Sequence, residues 1–449
     1  MHIQWRKGAY AVNRHDSAIG VVGLGYVGLA YALAFSLHGF RVVGVDIDGE
    51  RVGAIRSGDV EGFPREVEVI EKVIDRYLYV STDYDDLRNV DVVFIAVNTP
   101  TKPDGSQDLS QVLSALSNLA KIWKDVDYDY RVVVVKSTVL PGTTRWLARY
   151  AKEALGLPVP DRLGFVHNPE FLRATRALDD VLKPFRVVIG GVDEKSSNYV
   201  ANLFRELYRR VGYEPPIYVV SPEEAELVKY ASNTFLALKV VYANLIGLIC
   251  REIENCDAWK VMEVVGLDPR IGRSHTMPGM PYGGSCLLKD VLAFSRFVAE
   301  KTGIDFIKQV HQLNEEVLDK IVNHIENILG GLQGKNIAIL GIAYTTGSSD
   351  VRDSQALTLA RRLLEKGARI YIDDVNRKAT ENARKMFQNI GIIEDYRQLN
   401  TMDLIIITLP YKEYEQIIQH VNNTIPIIDL TGTIKSGKVW RFYTSARKD

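Results

Sequence analysis

Short apolar runs alternate with helix-length stretches along most of this chain, and the alternation begins at Ala18. Residues 18–22 are continuously apolar, as expected of a strand covered on both faces in a parallel sheet. An apolar helical pattern follows to Leu37 and is stopped by Gly39. A second strand over 41–45 ends at Asp46. Further strands are predicted over 90–97, 131–135, 164–166 and 185–190, the last closing the first α/β unit. Ser221-Pro-Glu-Glu224 forms a capping box with proline at the first helical position. It opens a long helix reaching about Ile253 that is apolar nearly all round, the mark of a helix buried between domains or subunits. A charged helical connector covers 291–330. The strand–helix pattern then returns, with strands over 335–341, 369–373, 404–408 and 425–429 and a helix over 357–365 stopped by Gly367.

The predicted fold is α/β: two Rossmann-like domains with parallel sheets joined by a long central helix. The expected divisions are an N-terminal extension (1–17), a first Rossmann-like domain (18–220), a central helical domain (221–330) and a C-terminal Rossmann-like domain (331–449). Composition leaves this unchanged, since 46% apolar and 25% charged residues over 449 positions are ordinary for a globular protein. A formal net charge of −1 gives no general attraction to nucleic acid or to an anionic membrane, so neither is expected as a partner. No uninterrupted apolar run reaches membrane-spanning length. Residues 1–17 lack the apolar core of a signal peptide. Cys250, Cys256 and Cys286 are too few and too unevenly spaced for a disulfide framework or a zinc site. A reducing compartment is expected, the cytoplasm, with no metal.

Candidate chemistry starts at the first turn. Gly23, Gly25 and Gly28 give G-x-G-x-x-G in a strand–turn–helix–strand setting, with Asp46 18 residues beyond Gly28. Such a turn lets a pyrophosphate approach the helix N-terminus. Asp46 accepts from a ribose hydroxyl and repels a 2′-phosphate, which favours NAD. Arg51 is either a contact to the adenosine phosphate or a solvated surface arginine. The second α/β unit lacks the glycine fingerprint, so it serves another ligand or none. Thr99, Thr101, Ser137 and Thr138 follow predicted strands, at the sheet edge where such folds bind ligands. Pro169 keeps Asn168 out of a helix, so Glu170 lies on a loop at the same edge. Lys229 and Asn233 share one face of the long helix. A lysine in such apolar surroundings needs a partner or a solvated cavity. In 281–290 a Gly-Gly-Ser turn precedes Cys286, and Lys289 and Asp290 follow it. Backbone N–H groups and a nearby cation suit a thiolate nucleophile, the alternative being a buried structural cysteine after an ordinary turn.

Eight motifs in order then carry a resemblance: GLGYVG (23–28), NTPT (98–101), STV (137–139), NPEFL (168–172), AELVKYASN (225–233), DPRIG (268–272), YGGSCLLKD (282–290) and DVRDS (350–354). Together they resemble the nucleotide-sugar 6-dehydrogenases of the UDP-glucose/GDP-mannose dehydrogenase family over nearly all the chain after Ser17. The resemblance implies oxidation of a sugar C6 alcohol to a carboxylate with two NAD per turnover, UDP-glucose being the expected substrate. It implies that Cys286 traps the aldehyde as a thiohemiacetal, which is oxidised to a thioester and hydrolysed. Lys229 and Asn233 would stabilise the oxyanion, Asp290 would move protons, and Glu170 and Thr138 would surround the hydrolytic water. Gly23, Leu24, Gly25, Tyr26, Val27, Gly28, Asp46, Arg51, Thr99, Thr138, Lys289 and Arg352 would hold the cofactor. Glu170, Phe171, Leu172, Lys229, Asn233, Tyr282 and Gly283 would hold the UDP-sugar, with Arg270 donated by a neighbouring subunit of a homodimer or higher homo-oligomer. The chain departs from the family at Thr345 and Thr431, where cations are usual, and at Ala174-Thr175, where Glu-Gly is common. The serine before Cys286 favours UDP-glucose. A UDP-N-acetylhexosamine or GDP-mannose dehydrogenase, or an impaired NAD-binding sensor, stand as alternatives.

Overall fold

The computed structural model describes residues 18–60, 64–102, 106–387, 389–435 and 439–445, and all their side chains except those of Pro64, Arg65 and Cys286. The expected extension, 1–17, lies outside the described residues. The chain divides into two compact units between Ala231 and Ser232.

The first unit is built on an eight-stranded sheet. Its strands are β1 (Ile19–Val22), β2 (Val42–Val45), β3 (Leu78–Ser81), β4 (Val92–Ile95), β5 (Arg131–Val135), β6 (Leu163–His167), β7 (Val187–Gly191) and β8 (Ile217–Val220). They lie side by side in the order β3-β2-β1-β4-β5-β6-β7-β8. β1, β2, β4 and β5 are fully buried, in keeping with their Val-rich sequences. The order reverses between β1 and β4, so a crevice opens at their C-terminal ends.

Two features correct the expected parallel sheet that ends at 185–190. β7 runs antiparallel to β6. The helix between them, Ala177–Leu182, has only six residues, too few to carry the chain back along the sheet for a parallel return. β8 then pairs parallel with β7. Its Tyr218 and Val219 are exposed, so it lacks the apolar signature of a buried strand.

The second unit holds a six-stranded, all-parallel sheet: β9 (Asn336–Leu340), β10 (Arg369–Asp373), β11 (Gly391–Ile392), β12 (Leu404–Ile407), β13 (Ile427–Asp429) and β14 (Val439–Arg441). The order β11-β10-β9-β12-β13-β14 repeats the reversal of the first sheet. The expected single connector is two helices, Gly284–Thr302 and Phe306–Leu329, separated at Gly303 with φ +74°.

The long helix is Pro222–Glu252, opened as expected by the reciprocal Ser221–Glu224 hydrogen bonds. In the second unit its Ala237 and Val241 pack with Tyr282, Val291 and Val310. Its length and a mean hydropathy of 1.6 also satisfy the size and composition of a membrane span. Polar residues interrupt it, so it passes by composition although no uninterrupted apolar run reaches that length, and the buried core helix of a globular protein passes the same test. The cysteine reading also changes. Cys250 and Cys256 form a disulfide, because the chain turns back after the helix and brings their Cα atoms within 4.9 Å. Cysteine usage therefore no longer argues for a reducing compartment.

Candidate active site

The glycine turn follows β1 and enters the helix Tyr26–Leu37. Gly23 has φ +88°, where a side chain would meet the Ala96 backbone at 2.9 Å. A Cβ on Gly28 would lie 1.8 Å from the Gly23 carbonyl oxygen, so helix and turn pack too closely for any other residue. Gly25 is open on its outer side, with the Arg51 guanidinium 3.7 Å from where its Cβ would be. Gly25 at the N-cap has no side chain with which to cap this helix start. A helix start without a side-chain cap beside a cation suits a pyrophosphate. Asp46 accepts from the Leu24 N–H at 2.7 Å and from the Asp48 N–H at 3.0 Å. Its carboxylate is 3.9 Å from Arg51. Leu24, Tyr26 and Val27 fill the turn between these groups. The residues present thus fit NAD.

At the C-terminal edge of the same sheet the first unit assembles a buried charge cluster. Lys229 donates to a carboxylate oxygen of Glu170 at 2.6 Å and to the Glu170 carbonyl at 2.8 Å. The other carboxylate oxygen accepts from the Leu172 N–H at 2.6 Å. Lys229 and Glu170 are 4% and 8% exposed, so the pair is nearly dry. Burial alone pushes the Glu170 carboxyl up, but the Lys229 charge, its hydrogen bond, the Leu172 N–H and Lys136 outweigh it and hold the carboxyl below its usual value. Phe171 lies beside them, its ring 3.9 Å beneath Arg186. Thr138 joins this edge through its backbone: its carbonyl accepts from the Thr99 hydroxyl and from Gln107 Nε2, both at 2.7 Å. The Thr99 hydroxyl therefore shapes the Thr138 loop and keeps only its lone pairs for a cofactor.

The second unit assembles another set. Asn233 donates to Asp290 at 2.6 Å, and Lys289 Nζ lies 2.7 Å from the other Asp290 oxygen. Asp290 is 1% exposed. Position 286 is in the first turn of the helix Gly284–Thr302, one turn before Asp290. The Cys286 side chain lies outside the described residues. The turn before it is held by the 350–354 motif. Gly284 donates to the Asp353 carbonyl at 2.8 Å, and a Cβ on Gly283 would lie 2.5 Å from the same oxygen. Gly284 has φ +79° and faces the Tyr344 ring. Tyr282 is clamped through its backbone by Asn314, at 2.9 and 3.0 Å, and its hydroxyl reaches His311 at 3.2 Å. Its ring is thus core, and Asn314 already holds its backbone N–H and carbonyl.

Three more residues singled out in the sequence pair with near neighbours along the chain. Arg270 pairs bidentately with Asp268 and its side chain is 87% exposed. Arg352 pairs bidentately with Asp350, leaving its guanidinium half-exposed. Thr431 donates to the buried Asp429 at 2.7 Å, so where the family carries a cation this chain has a loop-ordering hydroxyl. The sequence reading passed over three groups: Lys136, Gln107 and Glu226. Lys136 stands beside the Ser137-Thr138 motif, a signal that was available. Glu226 lies within the AELVKYASN motif, but its partners, like those of Gln107, are distant along the chain and gave its role no local signal.

The chain is similar to known proteins over most of its length. Residues 17–211, 223–316 and 338–436 match the NAD-binding, central and UDP-binding domains of the UDP-glucose/GDP-mannose dehydrogenase family. A UDP-glucose 6-dehydrogenase of Haloferax volcanii is 34% identical over 403 residues, covering 88% of this chain and 92% of that protein. One from Bacillus subtilis is 36% identical over 361 residues, 79% of each chain. The solved structure of a UDP-glucose dehydrogenase from the hyperthermophilic archaeon Pyrobaculum islandicum is 36% identical with a TM-score of 0.87, covering 98% of this chain and 100% of that one. Matched by all three domain models in order and sharing over a third of its residues with that archaeal enzyme, this chain belongs to the UDP-glucose/GDP-mannose dehydrogenase family.

Proposed function

We propose that this protein oxidises C6 of UDP-glucose to the carboxylate, in two hydride transfers linked by covalent catalysis at Cys286. The observation that carries the reading is the pairing of two polar sets on one helix: Lys229 with Glu170, and Asn233, four residues on, with Asp290. Buried donors of this kind stabilise an oxyanion at a reacting carbon. NAD, when bound at the glycine turn, supplies the hydride acceptor. Asp290, one helical turn from position 286, takes up and returns protons. The thiolate adds to the aldehyde to give a thiohemiacetal. Loss of a second hydride gives a thioester, and water cleaves it to the acid and the free thiol. Glu170 and the Thr138 loop flank the water.

We read 18–220 as the NAD-binding domain, 221–330 as the central domain and 331–449 as the sugar-nucleotide domain. Arg270 serves the site of a neighbouring subunit, consistent with its exposure. Reaction progress tests the scheme: two NADH per sugar acid, with no aldehyde captured by a trapping reagent. Cys286→Ser should accumulate a slowly cleaved ester, read as a mass increase. One NADH per sugar with released aldehyde would rule out the covalent route. Activity only with GDP-mannose or an N-acetylated sugar would move the substrate and keep the chemistry.

A further inference from the structure

Lys136 is a buried cation that the scheme above does not use. It follows β5 and is 2% exposed. Its Nζ lies 2.7 Å from Asn168 Oδ1, 3.4 Å from the Pro169 carbonyl oxygen and 3.8 Å from the centroid of the Tyr31 ring. All three partners are electron-rich: an amide oxygen, a carbonyl oxygen and an aromatic face. An ammonium turns one N–H to each, whereas a neutral amine would turn its lone pair on one of them. Burial pushes the ammonium well down from its ordinary pKa, while Glu170 draws it up and Lys229 pushes it down again.

An apolar side chain would fill the same space without the cost of burying a charge. What the lysine adds is directional. It grips the two residues that precede Glu170. Asn168 is tied at both ends, donating from its side chain to the Val188 carbonyl at 2.7 Å and from its backbone to the Val135 carbonyl at 3.1 Å. From Pro169 the next residue is Glu170, whose carbonyl and carboxylate both receive Lys229. The contacts form a continuous path from Tyr31 through Lys136 and the 168–169 segment to the Glu170–Lys229 pair.

We propose that Lys136 is a positioning residue: it holds the Asn168–Pro169 segment so that Glu170 presents both its carboxylate and its carbonyl to Lys229. The consequence for catalysis rests on the role given above to the Glu170–Lys229 pair. The consequence for geometry does not.

Lys136→Met keeps the length and removes the donors and the charge, and Lys136→Arg keeps both. In Lys136→Met, kcat should fall roughly 10- to 100-fold, the cost of losing charged hydrogen bonds in a dry site. KM for NAD should stay within about threefold, because the glycine turn is untouched. Loss of the Lys136 charge raises the Glu170 carboxyl, so the acidic limb of the kcat–pH profile should move to higher pH. Lys136→Arg should recover part of kcat and return the limb. A crystal structure of Lys136→Met should show the Glu170–Lys229 contact lengthened beyond hydrogen-bonding distance. If Lys136→Met does not fold, Asn168→Ala removes the main acceptor and should lower kcat with KM for NAD held. An unchanged pH profile, with the Glu170–Lys229 contact intact in the variant, would overturn the proposal. A displaced pair in a protein that oxidises no nucleotide sugar would overturn the function and leave the positioning role standing.

Discussion

Asp46 shows how one side chain serves two ends. One carboxylate oxygen fastens the Leu24 N–H of the glycine turn, and Arg51 stands 3.9 Å away. A 2′-phosphate brought to this carboxylate would meet like charge in a partly desolvated crevice. NAD should therefore exceed NADP in kcat/KM. Asp46→Ser should narrow the ratio by roughly tenfold, through loss of a charged hydrogen bond to the ribose and of the repulsion. Because Leu24 also loses its acceptor, KM for NAD should rise in the same variant. Steady-state kinetics with both cofactors checks this, and a wild-type preference for NADP would assign cofactor choice to another residue. The fingerprint was legible because its logic is local: three glycines and an acid within 24 residues of chain. The Glu170–Lys229 pair spans 59 residues. The sequence marked both residues, but only folding made them partners.

At the scale of elements, the helix Thr143–Glu153 is capped from outside. Gly142 at its N-cap has no side chain to offer. Glu226, on the long helix, accepts from the Gly142 and Thr144 N–H groups at 2.6 and 2.7 Å. Burial pushes the Glu226 carboxyl from 4.5 up to about 7, although those N–H groups pull it down. In the folded protein this carboxyl binds its proton at higher pH than in the unfolded chain. The folded state thus holds more protons between pH 4.5 and about 7. Stability therefore falls as pH rises through that window and levels off above it. The linkage is worth up to ~3 kcal/mol. Thermal melts of wild type and Glu226→Gln across the window check it. The Tm advantage of wild type over the variant should shrink by several degrees from the acid end to the neutral end, and parallel curves would contradict the assignment.

At the scale of the whole molecule, the long helix keeps an apolar face uncovered. Phe235, Tyr242, Leu245 and Ile249 are 62%, 53%, 41% and 45% exposed, at spacings that place them along one side of the helix. An apolar stripe of this kind marks an association surface. The role proposed for Arg270, whose side chain is exposed, would give that association a catalytic reason. We expect a homo-oligomer of at least two subunits, with the double variant Tyr242→Glu, Ile249→Glu shifted toward monomer in light scattering and reduced in kcat. A wild-type protein that is monomeric and fully active at micromolar concentration would end this reading.

The sequence by itself determined what depends on short separations. It marked the buried strands by their apolar runs, the helix starts and stops by proline, capping residues and glycine, and the cofactor turn by its spacing. These follow from backbone sterics and local burial, which neighbouring residues dictate. The tertiary structure decided what depends on distant segments meeting. It reversed β7 against β6, added an exposed β8, joined Cys250 to Cys256 and split the connector at Gly303. It also chose the partners of the buried charges: Lys229 for Glu170, Asn233 for Asp290, and Lys136 for the Asn168–Pro169 segment. A charge taken from water needs a partner within about 3 Å, and only the folded chain brings that partner near.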